Sequence, residues 1–210
     1  MLTRFRHILW DWNGTLFDDA WLCLEIINEL LARRRLPLVD NARYETCFTF
    51  PVKEFYRAVG FDFDRDSFEV LAAEFMAVYD VRRFNCRLQP GAHEVLDTLT
   101  QRGVAQSILS AYEQSRLDEM VAHLGLRGYF HHQVGLNDYY SSGKVESGKR
   151  LIADLGCAPG DVVLIGDSLH DAEVAEAMGT ACLLLPCGHY SRARLLSHGA
   201  PVLNSLHDLL

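Results

Sequence analysis

Four short segments of the sequence carry side chains that could act together on a phosphoryl group. Carboxylate oxygens are hard ligands that suit Mg²⁺, and a carboxylate can also attack phosphorus as a nucleophile. A hydroxyl, an ammonium group and the backbone N–H groups of a glycine turn can bind the oxygens over which charge spreads in such a reaction. The residues concerned are Asp11 in Asp11-Trp12-Asn13-Gly14-Thr15, then Ser110, then Lys144 in the loop Ser141-Ser142-Gly143-Lys144, and finally Asp167 and Asp171 in Gly166-Asp167-Ser168-Leu169-His170-Asp171.

Each of these segments lies at the end of a predicted strand or in the loop that follows one. Short apolar runs predict strands over 8–10, 105–109, 133–134, 162–165 and 181–185, and helical spacing separates several of them. This alternation predicts an α/β fold with a doubly wound parallel, Rossmann-like sheet. Since ligands bind such sheets at the carboxyl ends of the strands, we expect the four segments to meet at one crevice.

Residues 17–86 depart from this alternation of strands and helices and show helical patterns with little strand signal. We therefore predict an α-helical insertion over 17–86 between the two parts of an α/β core domain, 1–16 and 87–210. The apolar stripes that predict its helices are Leu24, Ile27 and Leu31, then Val52, Phe55, Tyr56 and Val59, then Phe68, Leu71, Ala72, Phe75, Met76 and Tyr79.

Composition narrows the classes of function. The 210 residues carry a net charge of −8, which argues against a nucleic-acid partner, because binding to a phosphate backbone needs a basic face. The run Arg33-Arg34-Arg35 is expected to close a helix and face solvent. The six cysteines form no C-x-x-C pair and are expected to be reduced. No apolar stretch of about 18 residues and no leader pattern is present, so we expect a cytoplasmic protein without membrane contact.

The four segments, in this order, resemble the motifs of the haloacid dehalogenase (HAD-like) hydrolase superfamily. The resemblance covers nearly the whole chain: the insertion lies where that family carries its helical cap domain, and Arg87-Leu88-Gln89-Pro90-Gly91 is similar to the phosphoglycolate-phosphatase-like branch. It implies a magnesium-dependent phosphatase acting on a small phosphorylated metabolite.

The resemblance also implies a role for each motif residue. Asp11 would be the nucleophile that forms an aspartyl-phosphate and would also ligate the metal. The backbone carbonyl of Asn13 and the Asp167 carboxylate would complete the metal ligands, with Asp171 orienting the metal's waters or Lys144. Thr15, Ser110 and Lys144 would contact the phosphate. Lys144 departs from the family pattern in being followed by Val145 instead of proline.

Asn13 is the more consequential departure, because phosphatases of this family carry a second Asp there. That Asp protonates the leaving group and later activates water, whereas a carboxamide transfers no proton near neutral pH. General acid–base help is worth about 10²–10⁴-fold in rate. Two interpretations follow: a slow phosphatase, or a regulatory protein that binds a phosphorylated ligand with little turnover. Deamidation of the Asn13-Gly14 pair to aspartate is a third route to activity.

Several residues have two interpretations. Ser110 could cap a helix beginning near Glu113 instead of, or in addition to, binding phosphate. His170 could be a base, or its side chain could point to solvent or to the cap. Lys53 and Arg57, one helical turn apart, could bind a substrate carboxylate or a second phosphate, or could be ordinary surface charges. Oligomeric state leaves no trace in the sequence.

Overall fold

The computed structural model describes residues 2–136 and 143–210, and within them five strands form a parallel sheet in the order β5-β4-β1-β6-β7. Two further short strands, β2 and β3, form a separate antiparallel pair. The strands are β1 His7–Trp10, β2 Phe17–Asp18, β3 Arg87–Leu88, β4 Ala105–Glu113, β5 Gln133–Leu136, β6 Val162–Gly166 and β7 Ala181–Leu184. The helices are α1 Ala20–Arg33, α2 Asn41–Cys47, α3 Val52–Val59, α4 Phe68–Arg82, α5 Ala92–Gln101, α6 Gln114–His123, α7 Gly143–Asp154, α8 Leu169–Met178 and α9 Arg192–Leu196.

Strand β1 lies at the centre of the sheet and is buried along its whole length. Ile8, Leu9 and Trp10 are apolar and cover both faces of the strand, as expected for a parallel strand covered by helices on each side, whereas the buried His7 ring bonds to the Ser107 hydroxyl. Trp10 is in register with Ile108 of β4 on one side and with Ile165 of β6 on the other. Asp11 therefore follows β1 at the carboxyl edge of the sheet, beside the last residue of β6, Gly166, while β4 continues to Glu113.

The predicted doubly wound sheet is confirmed, with differences in the lengths of its elements. Strand β4 continues four residues beyond the predicted end at 109, so that Ser110 lies inside the strand. Lys144, predicted in a loop, lies in the first turn of helix α7. The preceding Ser141 and Ser142 lie outside the described residues. Asp171, also predicted in a loop, lies in the first turn of helix α8.

Helices α1 to α4 occupy the segment 17–86, hereafter the helical insertion. The three predicted stripes correspond to α1, α3 and α4, while α2 was missed because its seven residues bury only Tyr44. The β2–β3 pair was missed as well. It joins Phe17 to Leu88 and Asp18 to Arg87, and so holds the entry and exit of the helical insertion side by side. The division into two domains stays a prediction.

The helical insertion shares its apolar core with the sheet domain. One buried cluster combines Leu30 and Phe55 of the helical insertion with Leu184 and Leu195 from the C-terminal part of the chain. Burial of this joint surface favours an insertion that stays packed over the sheet edge. Within the described residues, no helix is both long enough and apolar enough to span a bilayer.

Candidate active site

Asp11 and Asp167 leave neighbouring strands at the same edge of the sheet. Asp11 directly follows β1, and its backbone N–H donates to the Ile165 carbonyl at 2.9 Å, which extends the β1–β6 ladder by one residue. Asp167 directly follows β6. The register of the sheet therefore fixes both carboxylates close together, as the sequence predicted.

Lys144 reaches into this edge from helix α7 and joins two carboxylates. Its Nζ lies 2.6 Å from Asp11 Oδ1 and 2.6 Å from Asp171 Oδ1. Asp11, Asp167 and Asp171 each place a carboxylate oxygen within 4.8 Å of the others, and all three are buried. Three carboxylates thus face a single ammonium group in this cluster, hereafter the carboxylate cluster.

Burial and mutual repulsion set the pKa values in the carboxylate cluster. Burial, reinforced by Asp171, raises the pKa of Asp11 to about 7 and that of Asp167 to about 8. Burial would also raise the pKa of Asp171, but Lys144 outweighs it and the pKa is lowered. Burial acts to lower the pKa of Lys144, yet Asp11 and Asp171 raise it overall. The Lys144–Asp171 pair is therefore ionised, whereas burial and repulsion favour the protonated forms of Asp11 and Asp167 near neutral pH.

Asp171 also determines where helix α8 begins. Its Oδ2 accepts hydrogen bonds from the backbone N–H and the hydroxyl of Ser168, at 3.1 and 2.6 Å, while the Ser168 hydroxyl oxygen accepts from the Asp171 N–H. This capping box leaves Asp171 Oδ1 for Lys144. Both oxygens are thus engaged, which suits Asp171 to orienting Lys144 better than to ligating a metal.

Asp167 is held by two donors and two glycines. Its Oδ1 accepts from the Thr15 hydroxyl at 3.1 Å and its Oδ2 from the His189 N–H at 2.6 Å. A Cβ on Gly14 would lie 2.5 Å from Asp167 Oδ2, and one on Gly188 would lie 2.1 Å from it. Gly14 also has a φ of +76°, so the turn after Asp11 requires glycine for both reasons.

Ser110 lies on β4, two positions beyond Ile108, which is in register with Trp10 of β1. Its Oγ accepts a hydrogen bond from the Tyr112 N–H at 3.1 Å, which leaves its hydroxyl hydrogen available to a ligand. The helix-cap interpretation of Ser110 is wrong, because Glu113 caps α6 by accepting from the backbone N–H groups of Ser115 and Arg116.

The Asn13 side chain points toward Asp19 and Tyr79, neither of which was predicted to lie at the site. Its Nδ2 donates to Asp19 Oδ2 at 2.7 Å and to the Tyr79 hydroxyl at 3.0 Å. The Gly14 N–H is itself bonded to the Phe17 carbonyl and to Asp19 Oδ1. Deamidation needs that nitrogen to attack the Asn13 carboxamide, so these bonds disfavour it in the folded chain. The only sequence signal for Asp19 was its proximity to the glycine turn.

The helical insertion contacts the loop that holds Asp167. The Tyr44 hydroxyl on α2 lies 2.9 Å from His189 Nδ1, and the Phe48 ring stacks on the His189 ring at a centroid distance of 4.4 Å. Arg194 of α9 donates to the carbonyls of Glu45 and Phe48, at 2.7 Å each. His189 therefore links the helical insertion to the carboxylate cluster through its own backbone N–H.

His170, a candidate base, lies between the two parts of the chain. Its ring packs on Phe50 of the helical insertion at 4.9 Å, and its buried Nε2 has no hydrogen-bond partner within the described residues. Burial and then Lys144 lower the pKa of His170. The ring therefore faces the helical insertion, which was one of the two expected orientations, and does not face solvent. The role of His170 as a base stays a prediction.

Lys53 and Arg57 lie on the exposed face of α3. Arg57 pairs with Glu54, and both cations lie over the Phe63 ring. These contacts are typical of surface charges, and a role of Lys53 and Arg57 in substrate binding stays a prediction. Arg34, expected to face solvent, instead pairs with Asp66 and Glu74 inside the helical insertion.

The cysteines are free, as predicted. Cys187 lies beside the glycine turn, with its Sγ 3.3 Å from the Gly14 carbonyl oxygen. Burial raises the pKa of the Cys187 thiol, which disfavours the reactive thiolate form.

Comparison with known proteins identifies relatives along nearly the full chain. The haloacid dehalogenase-like hydrolase family model matches residues 8–185. A 5'-nucleotidase from Pseudomonas aeruginosa is 27% identical over 202 residues, covering 93% of this chain and 89% of the relative. A phosphoglycolate phosphatase from Pectobacterium atrosepticum is 24% identical and covers 100% and 92%. In fold, the chain is similar to a haloacid dehalogenase-like hydrolase from Streptococcus pneumoniae, with a TM-score of 0.83, 18% identity and coverage of 99% and 97%.

Proposed function

The chain belongs to the haloacid dehalogenase-like hydrolase family, and on that premise we propose that it is a magnesium-dependent phosphatase acting on a small phosphorylated metabolite. The observation that carries the proposal is the buried contact of Lys144 with Asp11, at the edge of the sheet where Asp167 also lies. Relatives that cover most of the chain are a 5'-nucleotidase and a phosphoglycolate phosphatase, which favours a small phosphorylated compound as substrate.

The donor set fits Mg²⁺. Asp11 and Asp167 are buried carboxylates, and Lys144 divides its charge between Asp11 and Asp171, so a bound cation would offset the repulsion that helps to raise the pKa values of Asp11 and Asp167. Mg²⁺ is commonly held by one or two carboxylates together with water and substrate phosphate. Asp11 and Asp167 would hold the ion, with the Asn13 carbonyl as a third ligand. Bound there, it would neutralise charge on the phosphoryl oxygens.

Asp11 is the nucleophile in this proposal. Its Oδ1 is fixed by Lys144, which leaves the second oxygen to attack phosphorus and form an aspartyl-phosphate. Lys144 would stabilise the charge on the transferred group, and the Ser110 hydroxyl would donate to one of its oxygens. Thr15 donates its hydroxyl to Asp167 and its backbone N–H to the Trp12 carbonyl, so we assign it to holding that ligand, and its expected contact with phosphate stays a prediction. Packing of the helical insertion over this edge would exclude water during the transfer.

A second candidate is a regulatory protein that binds a phosphorylated ligand without turning it over. The observation that favours it is the position of Asn13, whose carboxamide hydrogens are both engaged by Asp19 and Tyr79. Such a protein would keep the carboxylate cluster and still bind Mg²⁺ and phosphate.

Phosphate release from 4-nitrophenyl phosphate and acetyl phosphate separates the two candidates. We expect release that needs Mg²⁺, stops with EDTA and is lost in Asp11→Asn. Lys149→Gln, which changes an exposed cation on the same helix as Lys144, is the matched control and should keep the activity. Equal rates in the native protein and Asp11→Asn would refute the phosphatase. Binding of Mg²⁺ and inorganic phosphate without any turnover would support the regulatory protein.

A further inference from the structure

Asn13, Asp19 and Tyr79 form a closed hydrogen-bond network beside the carboxylate cluster. Asn13 Nδ2 lies 2.7 Å from Asp19 Oδ2 and 3.0 Å from the Tyr79 hydroxyl, which itself donates to Asp19 Oδ2 at 2.6 Å. Asp19 Oδ1 accepts from the Gly14 N–H at 3.0 Å. Asp19 and Tyr79 are 1% and 3% exposed, so water does not compete for these bonds. The three side chains and the turn therefore fix one another.

The network fixes which way the Asn13 carboxamide points. With the amide reversed, its oxygen would lie 2.7 Å from a carboxylate oxygen, and two acceptors do not share a hydrogen bond. Both N–H groups are thus used within the protein. Within the described residues, no donor binds Asn13 Oδ1. Asn13 can accept a hydrogen bond from a ligand or water, but it has no proton to give to a departing group.

Asp19 does not replace the missing acid. Its two oxygens together accept from an amide, a hydroxyl and a backbone N–H, so both oxygens are occupied by partners within the protein. The three donors also hold the carboxylate against Asn13. A second carboxylate is therefore present at this site but is arranged as an acceptor.

We propose that this site selects phosphoryl compounds whose leaving group departs as a stable anion, namely acyl phosphates and phosphoanhydrides, and discriminates against alkyl phosphates. The inference rests on the proposed phosphatase. In the first step an Asp11 oxygen forms a bond to phosphorus while the bond from phosphorus to the leaving oxygen breaks, and the electron pair stays on that oxygen. A carboxylate or phosphate leaves in this form, whereas an alkoxide needs a proton that Asn13 and Asp19 do not supply. Water then cleaves the aspartyl-phosphate, which returns the Asp11 carboxylate and releases phosphate and a proton.

The test is the dependence of kcat/KM on the leaving group. This parameter covers the steps up to formation of the aspartyl-phosphate, so slow hydrolysis of that intermediate does not mask it. The substrates are acetyl phosphate, 4-nitrophenyl phosphate, phenyl phosphate and glycerol phosphate. For the native protein we expect a steep fall along this series, together with a burst of 4-nitrophenol.

The sharpest variant exchanges the two side chains, Asn13→Asp with Asp19→Asn. It keeps the net charge and the hydrogen bond but moves the carboxyl group to position 13. We expect kcat/KM for glycerol phosphate to rise by about 10²–10⁴-fold and that for acetyl phosphate to change only a few-fold. Asp18→Asn, which removes a neighbouring carboxylate outside the network, is the matched control and should leave the series unchanged.

Three outcomes are distinguishable. A native series without a fall in kcat/KM from acetyl phosphate to glycerol phosphate would overturn the inference, as would efficient glycerol phosphate hydrolysis that Asp19→Asn alone abolishes, since Asp19 would then be the acid. Because the native series needs no variant, the test survives misfolding of the exchanged protein. Absence of Asp11-dependent release from every substrate would instead refute the proposed phosphatase itself.

Discussion

Arg194 holds the helical insertion against the sheet domain, and its removal gives a measurable prediction. The side chain donates to two carbonyls, those of Glu45 at the end of α2 and Phe48 just after it, and it lies over the Tyr190 ring at 3.9 Å. We consider Arg194→Ala, with Arg57→Ala as the matched control. Arg57 is also an arginine over an aromatic ring, but its ion pair lies within α3 and crosses no boundary between the two parts of the chain.

The expected cost follows from the contacts that are lost. A hydrogen bond from a charged donor is worth about 1.5–3 kcal/mol, and a cation–π contact at a partly exposed site about 0.5–1 kcal/mol. Arg194 is half-buried, so water partly replaces it at both carbonyls. We therefore expect Arg194→Ala to weaken docking of the insertion by about 2–3 kcal/mol, which is about a 30- to 150-fold increase in the local opening equilibrium.

Hydrogen exchange of the backbone amides measures this opening directly. In Arg194→Ala, amides of α2 and α3 should exchange faster by that factor, while amides of β1 and β6 change only as much as global stability does. Arg57→Ala should change the free energy of local opening of the helical insertion by less than about 0.5 kcal/mol. Unchanged protection of α2 in Arg194→Ala, or equal loss of protection in β1, would refute the assignment of Arg194 as a docking contact.

Two further predictions concern the carboxylate cluster. Because burial raises the folded pKa of Asp11 to about 7 and of Asp167 to about 8, the folded chain binds more protons than the unfolded chain between about pH 4 and 8. Its free energy of unfolding in EDTA should therefore fall as pH rises through this window, and Mg²⁺ should restore more stability at pH 8 than at pH 5. Denaturant titrations measure this free energy, and a value that does not change with pH would contradict the prediction. Gly188→Ala should abolish Mg²⁺ binding and phosphate release, since its Cβ would lie 2.1 Å from Asp167 Oδ2, whereas Gly160→Ala, which has no atom within 4 Å, should be neutral in both assays.

The sequence allowed the sheet and the carboxylate cluster to be predicted because both depend on local patterns. A buried strand such as β6 has no polar alternation, and the end of this strand fixes the position of Asp167, which directly follows it. Lys144 could be identified as a site residue, but its position on a helix could not be predicted. The helix that carries it begins with Gly143 in a stretch without a strong apolar stripe. The position of a long, flexible side chain is decided by its partners, here Asp11 and Asp171.

The network around Asn13 could not be predicted, because it depends on contacts distant in sequence. Tyr79 is 66 residues from Asn13, and its helical stripe predicted only that it lies in an apolar core. Its hydroxyl reaches the turn after Asp11 only because α4 packs back toward the sheet. The cytoplasmic location and the absence of a nucleic-acid partner stay predictions, as do the cap residues that set specificity.

The contact between Asn13 and Asp19 constrains how this protein can diverge. Changing Asn13 alone to Asp would bring two carboxylates to about the 2.7 Å that now separates Nδ2 from Oδ2, so the pair would have to share a proton. Changing Asp19 alone to a neutral residue would leave the Gly14 and Tyr79 donors without their anion. The two positions are therefore expected to covary among homologues, with Asn at the first accompanied by Asp at the second. This pair of residues, six positions apart, offers a way to recognise, from sequence alone, the relatives that share the same chemistry.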